Sequence, residues 1–296
     1  MGCVSKDGLL QAFRWTKETG IEPLSGIKEN VSSNAKVISG DGRVIAGRIA
    51  KRGARMNHVF VWNDGEVKYL DPVKGYEGCN VFGVSANGRV IVGISGDSFN
   101  SIATSWTDGG NAVAFSDTMT QGMAASADGK VIVGIAYGEQ CRANRWTSED
   151  GTEDLGSLNN DNALARGVSN DGTVVAGVSN SSKGYEAFRW VKGEGMVGLG
   201  DFEGGEYKSS AWTGVSGNGK VIVGQGTTED GSVACIWDAE HGMRSIKEVL
   251  IECGLGEKVK GWKLTSANGV NLDGRTIVGF GVNPKGGKEG WIATLP

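Results

Sequence analysis

One nine-residue pattern recurs six times along this chain and restricts its fold more than any other feature. Its copies are SGDGRVIAG from Ser39, SANGRVIVG from Ser85, SADGKVIVG from Ser126, SNDGTVVAG from Ser169, SGNGKVIVG from Ser216 and NLDGRTIVG from Asn271. A second pattern ends in tryptophan at Trp15, Trp62, Trp106, Trp146, Trp190, Trp237 and Trp291, with spacings from 40 to 54 residues. Self-similarity at this period is the mark of a repeat architecture. Each repeat reads as four short strands, A to D; in the fourth complete copy these are ALARGVS, TVVAGVS, YEAFRWV and GMVGLG.

The Asp-Gly or Asn-Gly between A and B predicts a type I′ hairpin, which needs positive φ at both central residues. The continuous Val/Ile run of B predicts a strand covered on both faces. The glycine closing B (Gly47, Gly93, Gly134, Gly177, Gly224, Gly279) predicts close approach of another backbone. Four strands every 40 to 50 residues make a β-propeller blade. The 50 glycines among 296 residues fit such turns, and with only 4 prolines the chain is neither collagen-like nor a Pro/Gly-rich coil.

Gly2–Trp15 aligns without a gap to Gly177–Trp190, so the chain starts at the end of a B strand, and GWIATLP at the other end supplies C without D. Seven C segments, six D segments and six A–B hairpins favour seven blades, with the first and last incomplete, over six. The expected fold is therefore an all-β propeller of four-stranded antiparallel blades forming a single domain over residues 1–296. One short helix is expected at 246–254, where Ile246, Val249, Leu250 and Cys253 have helical spacing and Gly254 gives a stop.

The motifs GVSNDGTVVAG, AFRW and GMVGLGDFEGG resemble those of the HAF-type bacterial extracellular repeats, and the segment from Gly261 to Pro296 is similar to that family's C-terminal repeat. The resemblance covers nearly the whole chain. It implies a β-propeller and an extracellular or cell-surface location in bacteria, in some cases as the passenger of an autotransporter. It implies no single activity. No signal peptide is visible, and the mid-strand start suggests a piece of a longer polypeptide.

Thirty basic against 34 acidic residues give a net charge of −4, without the basic block that a nucleic-acid partner requires. No apolar stretch approaches the ~20 residues of a membrane-spanning helix. Five cysteines without regular spacing and two distant histidines point to free thiols and to no zinc site. Asp and Asn alternate in the SxDG turn, which suits turn chemistry better than a calcium ligand. The turn serine is expected to cap it locally. No single-copy catalytic motif stands out, and no cofactor is expected. The repeat tryptophans are expected to pack between blades. Arg14, Arg145 and Arg189, each preceding one of them, should lie on the opposite sheet face.

In an up-and-down blade the A–B and C–D turns share one face, and the B–C and D–A connections share the other. The second set is long and variable, which is where binding residues concentrate on a rigid scaffold. The candidate ligand-binding residues are Arg52, Arg55, Tyr76, Tyr137, Tyr185, Asp201, Glu203 and Tyr207, with no catalytic assignment. Aromatic faces beside carboxylates and arginines suit a glycan or peptide. A non-enzymatic binding or adhesion scaffold is the first reading. The alternatives are a polysaccharide lyase or hydrolase using loop carboxylates, and a structural module of a larger surface protein.

Overall fold

The computed structural model describes every residue except 7, 29–30, 52–57, 98–99, 203–204 and 206–211, and only the backbone of 6, 51, 212 and 213. Its strands form seven antiparallel sheets in chain order, five of four strands and two of three among the described residues. Blade 1 is β1 (Gly2–Lys6), β2 (Leu9–Thr16) and β3 (Gly20–Pro23); blade 2 is β4 (Val31–Ile38), β5 (Val44–Lys51), β6 (His58–Asn63) and β7 (Glu66–Leu70). Blade 3 comprises β8 (Cys79–Val84), β9 (Val90–Gly96), β10 (Ser101–Thr107) and β11 (Ala112–Ala114). Blade 4 comprises β12 (Gln121–Ala125), β13 (Val131–Ala136), β14 (Arg142–Thr147) and β15 (Gly151–Asp154). Blade 5 is β16 (Ala163–Val168), β17 (Val174–Ser181), β18 (Gly184–Val191) and β19 (Gly195–Gly198). Blade 6 is β20 (Trp212–Val215), β21 (Ile222–Thr228), β22 (Gly231–Asp238) and β23 (Gly242–Ser245); blade 7 is β24 (Lys263–Val270), β25 (Thr276–Val282) and β26 (Lys288–Thr294). This is a seven-bladed β-propeller; among the described residues the first sheet has no A strand and the last no D strand. Two compact units share the chain: Met1–Ala136 with Trp146–Thr152, and Tyr137–Arg145 with Glu153–Pro296.

The A–B turn is built differently from the expected type I′ hairpin. Only its glycine has positive φ, as at Gly42 (75°) and Gly172 (71°). The Asp or Asn serves through its side chain. In blade 5 the Ser169 hydroxyl donates to Asp171 Oδ1 at 2.6 Å, and that oxygen also accepts the Thr173 N–H at 3.0 Å. Ser169 Oγ in turn accepts the Val174 N–H at 3.0 Å. The same triangle recurs at Ser39/Asp41, Ser85/Asn87, Ser126/Asp128 and Ser216/Asn218. One carbonyl-type oxygen suffices, so Asp and Asn are interchangeable there. The Ser hydroxyl and backbone N–H hydrogen bonds hold the Asp41 and Asp171 carboxyls below the usual range. Type I′ geometry occurs instead in C–D turns, at Asp64-Gly65 (φ 44° and 103°) and Asp108-Gly109 (52° and 66°).

Backbone hydrogen bonds join neighbouring turns, from Gly40 N–H to the Ala86 carbonyl and from Asn87 to Ala127 in one unit. In the other unit they run from Asn170 to Gly217 and from Gly217 to Leu272. Every A strand from blade 2 to blade 7 carries a register shift just after the partner of the B-strand glycine. The bulge pushes a carbonyl over that glycine: a Cβ at Gly177 would overlap the Leu164 oxygen, and one at Gly47 the Asn34 oxygen. The close approach expected from sequence has this cause.

The tryptophans are not uniform. Trp62, Trp106 and Trp190 are buried, Trp146, Trp237 and Trp291 half-buried, and Trp15 is 45% exposed. In blade 7 the residue opposite the B-strand glycine is Trp291 (Gly279↔Trp291), whereas in blades 2 and 5 it is Phe60 and Phe188. Trp291 is therefore shifted by two residues, and Ala293 stands where the other blades place tryptophan. The arginines take the inter-blade role: Arg14 stacks 5.2 Å from the Trp62 ring centroid and Arg189 5.9 Å from that of Trp237. Buried Arg145 lies 3.6 Å from Glu153 and donates to the Gly172 carbonyl.

The expected helix is present and continues further. Helix α1 (Ile246–Leu250) runs through a π-helical turn (Ile251–Leu255) into α2 (Gly256–Val259). Ile246, Val249 and Leu250 are buried against Ile236, Leu264 and Ile277. Gly254, with a φ of 79°, breaks the helix where a stop was expected, and Cys253, expected on the apolar face, is exposed. All five cysteines are free thiols, and burial pushes the Cys79 thiol up to about 11.

Candidate functional site

The B–C and D–A connections of blades 4 and 5 gather a polar network whose described members lie within one compact unit. The D–A connection of blade 4 carries the run Asn159-Asn160-Asp161-Asn162, with Asn160 at a φ of 61°. Asn and Asp tolerate this left-handed conformation better than most residues. Asn162 Oδ1 accepts the Cys141 N–H at 2.7 Å, and the Asn162 carbonyl accepts the Asn180 N–H at 2.8 Å. The Asp161 carboxylate is gripped on both oxygens, by Asn162 Nδ2 at 2.9 Å and Asn180 Nδ2 at 2.6 Å. Gln140 donates to the Asn160 carbonyl at 3.3 Å and accepts from Arg142 at 2.6 Å. Arg142 also faces Asp154 at 3.9 Å. Leu158 N–H donates to Ser179 Oγ at 3.1 Å, seating the connection on blade 5.

Two of the expected ligand residues lie in segments that supply this network. Tyr137 opens the B–C connection of blade 4 and is half exposed. Tyr185, also half exposed, lies in β18 directly across from Asn180. These segments thus carry two half-exposed aromatic rings together with fixed amides, a carboxylate and a guanidinium, the donors and acceptors that recognise hydroxyls and peptide groups.

Asp201 and Tyr76 have structural partners. Asp201 accepts the Phe202 N–H at 3.0 Å and the Thr227 hydroxyl at 2.8 Å, tying the D–A connection of blade 5 to blade 6. Phe202 itself packs beside Leu199 and Trp237. Tyr76, in the other unit, is half-buried with its ring against Gly96. Arg52, Arg55, Glu203 and Tyr207 lie outside the described residues. Sequence reasoning passed over Gln140, Arg142, Asp161, Asn162 and Asn180; the NNDN run was their visible signal.

Two cavities lie elsewhere. One of about 280 Å³, lined by Val44, Val61, Lys68, Arg89 and Asp108 among others, is closed by a two-pronged ion pair, Arg89 to Asp108 at 2.9 and 2.7 Å. That pair holds the Asp108 carboxyl below its ordinary range. The other, of about 420 Å³, lies beside the helical connection and β26. Among the described residues no group of three or more His, Cys, Asp or Glu could hold a metal ion, and no helix is long and apolar enough to cross a membrane.

A repetitive scaffold with one elaborated end places this chain in the class of β-propellers, and solved structures agree on the fold. The β-propeller domain of the Trilobed protease from Pyrococcus furiosus, described as having an open velcro topology, aligns over 96% of this chain and 88% of its own, with TM-score 0.60 and 13% identity. Prolyl oligopeptidase B from Galerina marginata aligns over 93% of this chain at TM-score 0.61 and 10% identity, this chain spanning 44% of its length. TolB from Acinetobacter baumannii aligns over 77% of this chain and 57% of its own, at TM-score 0.51 and 14% identity. No protein-family model and no curated protein sequence matches the chain.

Proposed function

We propose that this protein is a non-enzymatic binding scaffold at the bacterial exterior, taking a polar ligand, a glycan or a peptide, on the blade 4 and 5 connections. The observation that carries the reading is the exposure of Tyr137, in the connection that supplies Gln140, and of Tyr185, across from Asn180 of the same network. Hydrogen bonding inside the network fixes these side chains before a ligand arrives, which lowers the ordering cost of binding. The exterior location rests on the HAF-type resemblance.

Glycan arrays and peptide libraries probed with the wild-type chain and with Tyr137→Ala and Tyr185→Ala test the proposal. Binding that each substitution weakens about tenfold, the loss of one stacked ring, supports it. Binding indifferent to both, or none in either library, sinks it. A second reading, a module within a larger protein, is favoured by the span of this chain over less than half of prolyl oligopeptidase B. In that reading the same face meets another domain.

A further inference from the structure

The interface between blades 1 and 2 and that between blades 5 and 6 share one frame but carry different charges. In the first, Arg14 of β2 stacks on Trp62 of the next blade. It lies 4.0 Å from Glu22, directly across the C–D pair, and 4.0 Å from Asp64 in the C–D turn of blade 2. Arg43, which follows the A–B turn glycine, reaches the same Asp64 at 3.7 Å. Two cations here share two carboxylates.

In the second, Arg189 of β18 stands over Trp237 in the same way, but the residue across from it is Val197. Lys220 follows the turn glycine as Arg43 does, and Ala239 is second after the tryptophan, where blade 2 has Asp64. Both cations are kept and both acids are replaced by apolar residues. Arg145, the third arginine at this position, keeps its carboxylate in Glu153. Asp238, the nearest acid in the chain, is taken by Arg244 at 2.6 Å and by the His241 ring at 2.8 Å. Arg189 Nε is buried without a hydrogen-bond partner among the described residues, and neither Arg189 nor Lys220 has an ion pair among them. A buried donor left unpaired is costly, and one held beside a second cation is a position for an anion. Val197 is 54% exposed and Ala239 is exposed, so both replaced positions face solvent.

We infer that the interface of blades 5 and 6, at its C–D turn end, binds two carboxylates of an acidic polypeptide segment through Arg189 and Lys220. The planar fork of Arg189 takes a carboxylate on two nitrogens, and its stacking on Trp237 orients that fork beforehand. Glu and Asp side chains fill these positions between blades 1 and 2, and exposed Val197 beside Arg189 suits the methylene stem of a glutamate. Tyr185 lies at the other end of β18, so this site is separate from the one proposed above.

The probe is fluorescently labelled hexaglutamate, titrated into the full chain at low salt, where charge attraction is least screened, and followed by anisotropy. Saturable binding is expected, weakened at least about tenfold by Arg189→Gln and about three- to tenfold by Lys220→Gln. Lys130→Gln makes the same charge change in a turn whose lysine faces its own Asp128, and should weaken binding less than about twofold. The double substitution Val197→Glu and Ala239→Asp keeps both cations and restores the two acids of the blade 1 and 2 interface. It should abolish binding without lowering the melting temperature. Absence of saturable binding, equal loss from Lys130→Gln and Arg189→Gln, or full binding by the double variant would overturn the inference. So would tighter binding of polygalacturonate than of hexaglutamate at equal carboxylate concentration, since the ligand would then be an acidic glycan.

Discussion

Blades 5 and 7 share the same strand order and the same B-strand glycine, yet among the described residues blade 5 has four strands and blade 7 three, and their C strands are filled differently. In blade 5 Phe188 faces the glycine, Trp190 is buried, and β19 covers the edge. In blade 7 Trp291 takes the phenylalanine position, Ala293 the tryptophan position, and a cavity of about 420 Å³ lies between β26 and the helical connection. The lesson is that the repeat fixes the inner two strands tightly and the outer edge loosely. The A–B hairpin carries the turn triangle, the bulge and the glycine, all backbone devices; C and D differ from blade to blade.

Substitutions at matched positions can break or sharpen that contrast. The largest effect is expected for Trp190→Ala, at about 3–5 kcal/mol in urea unfolding. Trp291→Ala should cost at least about 1 kcal/mol less because part of its surface stays in water; equal costs would refute the register shift as an energetic difference. Next comes Gly177→Ala, where the new Cβ meets the Leu164 carbonyl, at about 1–3 kcal/mol. Gly290→Ala in β26 meets nothing nearer than the Gly279 oxygen at 3.7 Å and should fall within about 0.5 kcal/mol of wild type by thermal melting. Ser169→Ala strands the buried Val174 N–H and should cost about 1–2 kcal/mol. In blade 7, where exposed Asn271 replaces that serine and accepts the Thr276 N–H, Asn271→Ala should cost less than half as much.

The smallest effect is one of pH. Asp171 has a folded-state pKa below its unfolded value, so between the two values the unfolded chain binds the extra proton. Its stabilisation is complete above the unfolded pKa, near ~4, and is lost as pH falls through the folded pKa. Asp171→Asn keeps the acceptor oxygen, so stability at pH 7 should hardly change while the acid-side slope flattens. An unchanged slope in a urea series from pH 5 to pH 2 would show that the turn carboxylates do not carry this dependence.

Blade number and strand order were legible because the period, the SxDG turn and the closing glycine each repeat at backbone positions with little chemical freedom. The exact turn type was not, because Asp-Gly in sequence reads alike whether the Asp supplies a positive φ, as at Asp64, or an acceptor oxygen, as at Asp171. Nor was the shift at Trp291, since the distance from the B-strand glycine to tryptophan already varies with the B–C connection. For the site, exposed Tyr137 and Tyr185 fell where variable connections suggested. Asp201 did not, because a carboxylate in a connection looks the same whether it faces solvent or closes on Thr227. The network around Asp161 joins segments some twenty residues apart, a pairing that no local pattern announces.

The turn triangle has an evolutionary consequence. Its acceptor is Asp at 41, 128 and 171 and Asn at 87 and 218, and the backbone is held the same way by either. Asp and Asn codons can differ by one base, so each turn can gain or shed a negative charge in a single mutational step without disturbing the sheet behind it. The rim formed by these turns is therefore a dial for surface charge that selection can turn independently of the fold.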